Sequence, residues 1–267
     1  MLIRRKAAVK ESPMTVNERR KAIIDFLQQK HECDVNEIIA QFDVTPATIR
    51  RDLSHLEQAG SITRTHGAVQ LVGSPAVPGF ITRDTLFSQE KLAIAEAASQ
   101  LVHSGDSVIL DSGTTANAVA QRLVGRQDIS LITNSLAILL SLKAPAQNLI
   151  LTGGVLDYEN LALIGPDAEA AFEHISASIL FLGTTGVRGC DGMTAISPFQ
   201  ASIKRKMISC ARRRILVVDS SKFNASGMIL FASFSDIDTV VTSYPIQDPA
   251  LRQTLDRKGI EVIAALG

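Results

Sequence analysis

The sequence predicts a two-part α/β chain: a small unit of three helices and a hairpin, then a larger unit in which helices alternate with buried strands. Three observations predict it. The 267 residues are too many for one small domain and suit about two. The stretch Gly73-Ser-Pro-Ala-Val-Pro-Gly79 places two Gly and two Pro in seven residues, which continue neither a helix nor a central strand. The apolar spacing also changes across that stretch, from helical repeats before it to short apolar runs between helices after it. The expected divisions are residues 14–72, a linker at 73–87, and residues 88–267.

Composition narrows the function classes. A hydrophobic content of 46% is ample for a core and excludes wholesale disorder. No apolar run reaches the ~18 residues of a membrane span, so no membrane partner is expected. The start, Met1-Leu-Ile-Arg-Arg-Lys6, lacks an apolar signal core, which leads us to expect a cytoplasmic chain. Cys33, Cys190 and Cys210 are widely separated and show neither metal-ligand nor redox spacing, so no metal and no cofactor are expected. Residues 1–72 hold 11 Lys+Arg against 9 Asp+Glu, and the whole chain balances at 27 against 27. That asymmetry is too weak to establish a nucleic-acid partner, so the argument rests on local pattern.

In the first unit, Ile23, Ile24 and Leu27 give Thr15–Gln29 a helical apolar face. Asp34 caps a second helix, with Glu37 three residues later completing a capping box. Its core face is Val35, Ile38, Ile39 and Phe42. After the turn Asp43-Val44, Thr45 is an N-cap and Pro46 the first residue of a third helix that ends at Gly60. Ile49, Leu53 and Leu56 fall within about 60° of one another at 100° per residue, which makes one buried stripe. Ala47, Thr48, Arg51, Ser54 and His55 lie opposite, and Arg50 sits on the flank. Small residues and hydroxyls let such a helix approach base edges. Arg51 suits a bidentate contact to guanine, Thr48 a base or thymine methyl, and Arg50 a phosphate. Two helices joined by a short turn make a helix-turn-helix. Ser61–Thr65, a His66-Gly67 turn and Ala68–Val72 form a hairpin, a wing carrying Arg64 and His66 toward a backbone or minor groove.

At these residues the chain resembles the DNA-binding signature of DeoR-type transcriptional regulators. The resemblance runs through Arg19, Ile23, Leu27, Thr45-Pro-Ala-Thr48-Ile49-Arg50-Arg51-Asp52-Leu53, Leu56-Glu-Gln-Ala-Gly60 and Thr63-Arg64-Thr-His66-Gly67. Ala68 stands where the family usually has a second Gly. The hydrophobic pattern alone also suits a three-helix protein-binding domain; the Thr-Ile-Arg-Arg-Asp-Leu run and the wing favour DNA.

In the second unit, Ser88–Val102, Gly113–Leu123, Leu136–Leu142, Asp167–Glu173, Ala201–Ala211 and Pro249–Lys258 read as helices. Ser107–Leu110, Ser130–Ile132, Leu149–Leu151, Ile179–Leu182, Ile215–Val218, Val240–Val241 and Val262–Ala264 read as strands. Buried strands alternating with helices predict a largely parallel sheet covered on both faces. Ligands of such sheets bind at the carboxyl ends of strands. Five strand ends carry the polar residues: Asp111-Ser112-Gly113-Thr114-Thr115, Thr133-Asn134, Gly153-Gly154, Gly183-Thr184, and Asp219 with Lys222. Any one of these loops is explained by turn geometry. Five in order point to a site for a small hydroxylated anion. Helix-start N–H groups and Lys would take a phosphate, Asp and Asn the hydroxyls.

This half is similar to the sensor half of the same family, whose fold resembles ribose-5-phosphate isomerase and coenzyme A transferases. The resemblance covers roughly residues 15–265 and implies a phosphorylated-sugar effector. It matches Lys204, but Gln200 and Ser202 replace carboxylates frequent in the family, which either leaves Lys204, Arg205 and Lys206 less neutralised and suited to a more anionic effector or leaves them as a solvated helix face.

Taken together, the sequence predicts a DNA-binding repressor of a carbohydrate-catabolism operon, relieved by a sugar phosphate, acting on double-stranded operator DNA as a dimer or tetramer. The alternative is a sugar-phosphate isomerase-like enzyme using Asp111 or Asp219 with Lys204 or Lys222. That region lacks a clear Glu, and His103 and His174 are the only histidines of the second unit, so no catalytic residue is assigned. A nucleotide-binding protein ranks last, since neither Gly-x-Gly-x-x-Gly nor a Walker-type Gly-Lys-Ser/Thr occurs.

Overall fold

The structure, a computed structural model, describes residue 14 and residues 16–30, 32–42, 44–58, 61–65, 68–71, 79–142 and 148–266. The arm 1–13, the Gly60 helix stop, the His66-Gly67 turn and linker residues 73–78 lie outside the described residues. The chain divides into two compact units, Met1–Ala76 and Val77–Gly267.

The first unit runs α1 (Val16–Lys30), β1 (Glu32–Asp34), α2 (Val35–Gln41), α3 (Pro46–Gln58), β2 (Ile62–Thr65) and β3 (Ala68–Leu71). Asp34 caps α2: its Oδ1 accepts from the Asn36 N–H at 2.7 Å, and Glu37 returns an acceptor to the Asp34 N–H. The predicted stripe of α3 is the buried one; Ile49, Leu53 and Leu56 pack with Ile23, Leu27, Ile38, Ile62 and Val69. Each such side chain contributes about 1.5–3 kcal/mol of transfer free energy. The hairpin β2–β3 is antiparallel, as expected, but β1 adds a third strand on the other side of β3. Three residues are too few to show a period of two, so β1 leaves no local pattern.

The second unit is built on a seven-stranded sheet whose neighbours are all parallel. Its strands are β4 (Ser107–Leu110), β5 (Ser130–Thr133), β6 (Leu149–Leu151), β9 (Ala177–Leu182), β12 (Ala211–Val218), β14 (Thr239–Thr242) and β15 (Glu261–Ala264). Their spatial order is β15-β14-β12-β9-β4-β5-β6. One face is covered by α5 (Ser88–Ser99), α6 (Thr114–Leu123) and α7 (Leu136–Ser141). The other is covered by α8 (Pro166–Ala170), α9 (Pro198–Cys210) and α10 (Pro249–Arg257). A hairpin, β7 (Val155–Asp157) with β8 (Ala162–Ile164), and a small antiparallel sheet of β10 (Gly186–Arg188), β11 (Gly192–Ala195) and β13 (Ile229–Ser233) project from this frame.

One expectation needs correction. Residues 80–85, read as linker, form helix α4 (Phe80–Thr85). The Phe80 N–H donates to Glu159 O at 2.7 Å, tying α4 to the β7–β8 hairpin. The Gly/Pro signal belongs to residues 73–79 and does not extend over Phe80-Ile-Thr-Arg-Asp-Thr85.

The strand order has a reversal. From β4 the chain proceeds through β5 to β6 in one direction; β9 then sits on the other side of β4, and β12, β14 and β15 continue away. In open α/β sheets the crevice beyond the carboxyl ends of two such strands is where ligands bind. No helix among the described residues is long and apolar enough to cross a membrane.

Candidate functional site

Each unit carries a candidate site. In the first, α3 presents Ala47, Arg50, Arg51 and His55 to solvent, with Thr48 and Ser54 half-buried. Thr45 is exposed; its hydroxyl receives the Thr48 N–H at 3.3 Å and pairs with the Thr48 hydroxyl at 2.9 Å. The opposite side of the helix is pinned by Asp52, which is only 2% exposed. Its two oxygens accept from Arg19 Nε at 2.6 Å and Arg20 Nε at 2.9 Å, joining α1 to α3. Sequence reasoning quoted Arg19 and Asp52 without finding their pairing, because 33 residues separate them. Arg64 lies on strand β2 and not at the wing tip. Its Nε and Nη2 bind Glu57 Oε2 at 2.9 and 2.6 Å, and Nη2 also reaches Ser54 Oγ at 2.9 Å. His66 lies outside the described residues.

In the second unit, a cleft of roughly 660 Å³, counted out to its open mouth, lies at the β4/β9 switch point. Of the residues expected there, Asp111, Ser112, Gly113, Thr114, Thr115, Asn134, Gly183, Thr184, Lys204 and Lys222 line it. Four do not. Thr133 is buried and donates to Leu110 O at 2.7 Å while accepting from the Ser135 N–H, so its hydroxyl ties strand to strand. Asp219 caps a 3-10 helix (Ser220–Asn224) through Ser221. Gly153 stands in the open, and Gly154, at φ +121°, backs so closely on Ile164 O that a Cβ would come within 2.7 Å. Gly154 therefore serves close backbone packing.

The floor of the cleft is a buried ion pair. The Lys204 ammonium binds Asp111 Oδ2 and also Gly183 O at 3.1 Å, over the Phe231 ring. The Gly183 N–H donates to the same Oδ2 at 2.8 Å. Asp111 is 0% exposed and Asn134 1%. Each has an Oδ1 with no hydrogen-bond partner among the described residues. A buried orphan acceptor is costly unless a ligand donor meets it. Nearby, α6 begins at Gly113 with no side-chain cap, so its first-turn N–H groups and positive dipole end face the cleft.

Two further cations complete the lining. Burial lowers the pKa of the Lys222 ammonium; Asp219 opposes that and Arg83 adds to it. Burial also lowers the Arg83 guanidinium, against the pull of Asp111, Asp157 and Asp84. Both shifts arise from burial of the charge, which an anion beside it would offset. Arg83 was missed because it lies in α4, away from any strand end. It is held by Asn160 Oδ1 at 2.7 Å, and Asn160 in turn donates to Asp157 at 2.8 Å. Gln200, noted only as a departure, also lines the cleft and donates to Asp157 at 3.3 Å. The Asp157-Tyr-Glu-Asn160 turn signature marks the hairpin but says nothing of the cleft.

Comparison with known proteins gives concordant results. Residues 19–74 match the model of the DeoR-like helix-turn-helix domain, and residues 87–244 that of the DeoR C-terminal sensor domain. The chain is 32% identical to the glycerol-3-phosphate regulon repressor of Escherichia coli over 87% of its own length and 92% of that protein. It is 32% identical to the transcriptional repressor AccR of Agrobacterium fabrum over 85% and 90%. An HTH-type transcriptional regulator of Bacillus subtilis shares 34% over 94% and 97%. Among solved structures, a ribose 5-phosphate isomerase A of Methanocaldococcus jannaschii aligns at 19% identity over 51% of this chain and 54% of that one, with a TM-score of 0.38.

Proposed function

We propose, from the premise that this chain belongs to the DeoR family of transcriptional regulators, that it represses a carbohydrate-catabolism operon and releases it when a phosphorylated sugar fills the cleft. The observation that carries the effector reading is the pairing, in one crevice, of unpartnered acceptors with buried cations. A phosphate seats on the α6 N-terminus with Lys222 and Arg83, while sugar hydroxyls donate to Asp111 Oδ1 and Asn134 Oδ1. A neutral sugar brings no anion to the buried cations, and an inorganic anion leaves the acceptors unmet. One relative is named for a glycerol-3-phosphate regulon, which agrees with an effector of this chemistry.

On the DNA side, α3 enters the major groove by its N-terminal half, with Thr48 and Arg51 on base edges and Arg50 on a phosphate. A single winged unit makes a small interface, so the working form is a homo-oligomer that engages paired half-sites. Such a regulator acts on cytoplasmic DNA. The enzyme alternative is not favoured. The relatives are named as regulators, and Asp111, the candidate base, already carries Lys204 and the Gly183 N–H on one oxygen.

The test has two arms. Thermal-shift screening against glucose 6-phosphate, fructose 1-phosphate, fructose 6-phosphate, ribose 5-phosphate and glycerol 3-phosphate is expected to show stabilisation by at least one, and by none of the unphosphorylated sugars. Gel retardation with the chain's own upstream region is expected to exceed that with random DNA at matched salt and to fall when the stabilising compound is added. Equal retardation of both duplexes would exclude the operator reading.

A further inference from the structure

A side-chain bridge joins wing strand β2 to helix α3. Arg50, Ser54 and Glu57 form one line along α3, spaced i, i+4 and i+7. Arg64 lies against that line: two of its nitrogens hold Glu57 Oε2 and one of those also holds Ser54 Oγ. Ser54 Oγ meanwhile donates to Arg50 O at 2.9 Å, so its single proton is spent. Ile62 and Arg64 are two residues apart on β2 and share a face; Ile62 is buried against the core, which explains why Arg64 turns toward the helix. The Arg64 hydrogen bond holds the Glu57 carboxyl below its usual range.

A carboxylate two turns along from Arg50 on the same side of a duplex-facing helix repels phosphates, so charge alone argues against it. Geometry argues for it. A guanidinium gripped through two nitrogens keeps a fixed plane, whereas a free arginine does not. We propose that Glu57 is a positioning residue for operator recognition: without touching the duplex, it fixes Arg64, and through it the wing, at a set distance from α3, so that helix and wing dock as one piece. The proposal rests on the reading of α3 as the duplex-facing helix.

The experiment uses the full chain, a labelled duplex of its own upstream region, a random duplex of equal length, and the variants Glu57→Gln, Glu57→Asp, Arg64→Gln and Glu57→Gln with Arg64→Gln. Glu57→Gln is expected to weaken operator binding about five- to tenfold. The slope of log Kd against log salt stays unchanged, because no phosphate-contacting cation is removed. In the Arg64→Gln background the same change costs nothing further. Glu57→Asp keeps the charge but is one methylene short, and is expected to lose as much as Glu57→Gln. The proposal is overturned if Glu57→Gln binds as well as or better than the wild type, if Glu57→Asp binds normally, or if the loss is the same in both backgrounds. A wild-type chain that discriminates neither duplex is a different failure, that of the DNA reading itself.

Discussion

Asp52 and Lys91 are two buried charged residues that tie elements together. Asp52 holds two arginines of α1 from the inner side of α3. Removing one partner of a buried pair leaves an uncompensated charge, so Asp52→Ala should cost on the order of 3 kcal/mol. A unit of this size has little stability to spare. An early transition in thermal unfolding, with loss of operator binding, is the expected result. Lys91 is 4% exposed and binds the carbonyls of Arg83 and of Leu86, the latter at 2.6 Å, at the end of α4. Burial lowers its pKa to about 8, with Asp219 and Asp84 opposing and Lys222 and Arg83 adding. Unfolded, it titrates near 10.4. Between those values the unfolded chain holds a proton the folded chain has lost, so stability rises with pH; below about 8 the full cost of burying the charge is present. The stability difference between wild type and Lys91→Met should therefore grow in favour of wild type from pH 8 to pH 10, by chemical denaturation. A flat difference would contradict the assignment. Neither residue was legible as a constraint in the sequence, because a pairing across 33 positions and a lysine on an otherwise amphipathic helix leave no local pattern.

At the scale of elements, what was legible followed from periodicity. The seven parallel strands are apolar runs between helices, and the α2 capping box and the α3 stripe are visible residue by residue. Some short elements were not, among them β1, α4 and the β7–β8 hairpin, and the last two bring Arg83 and Asn160 to the cleft. Polar strand ends overpredicted the site for the same reason. Thr133, Asp219 and Gly154 have turn and packing duties that a strand-end rule does not separate from binding. Through Arg83, α4 belongs to the proposed effector site. Arg83→Gln should weaken the stabilising sugar phosphate at least tenfold in a thermal-shift titration while leaving operator affinity without effector near wild type. Gly183→Ala tests the cleft floor, since an added Cβ would stand 3.1 Å from Asp111 Oδ2 and press on the carboxylate that Lys204 holds. It should weaken the effector similarly, and unchanged binding would remove the floor from the site.

At the scale of the whole molecule, two compact units share one chain and, on this account, one equilibrium. An effector shifts that equilibrium only through a difference in its affinity for the DNA-competent and DNA-free states. Such coupling is reciprocal: whatever factor the ligand imposes on operator binding, the operator imposes on ligand binding. The most direct measurement is therefore the dissociation constant of the best-stabilising sugar phosphate, taken with and without saturating operator duplex at one salt concentration. The account predicts weaker ligand binding in the presence of operator, by at least about fivefold, matching the factor by which the ligand weakens operator binding. A ligand affinity that is the same with and without operator would contradict it.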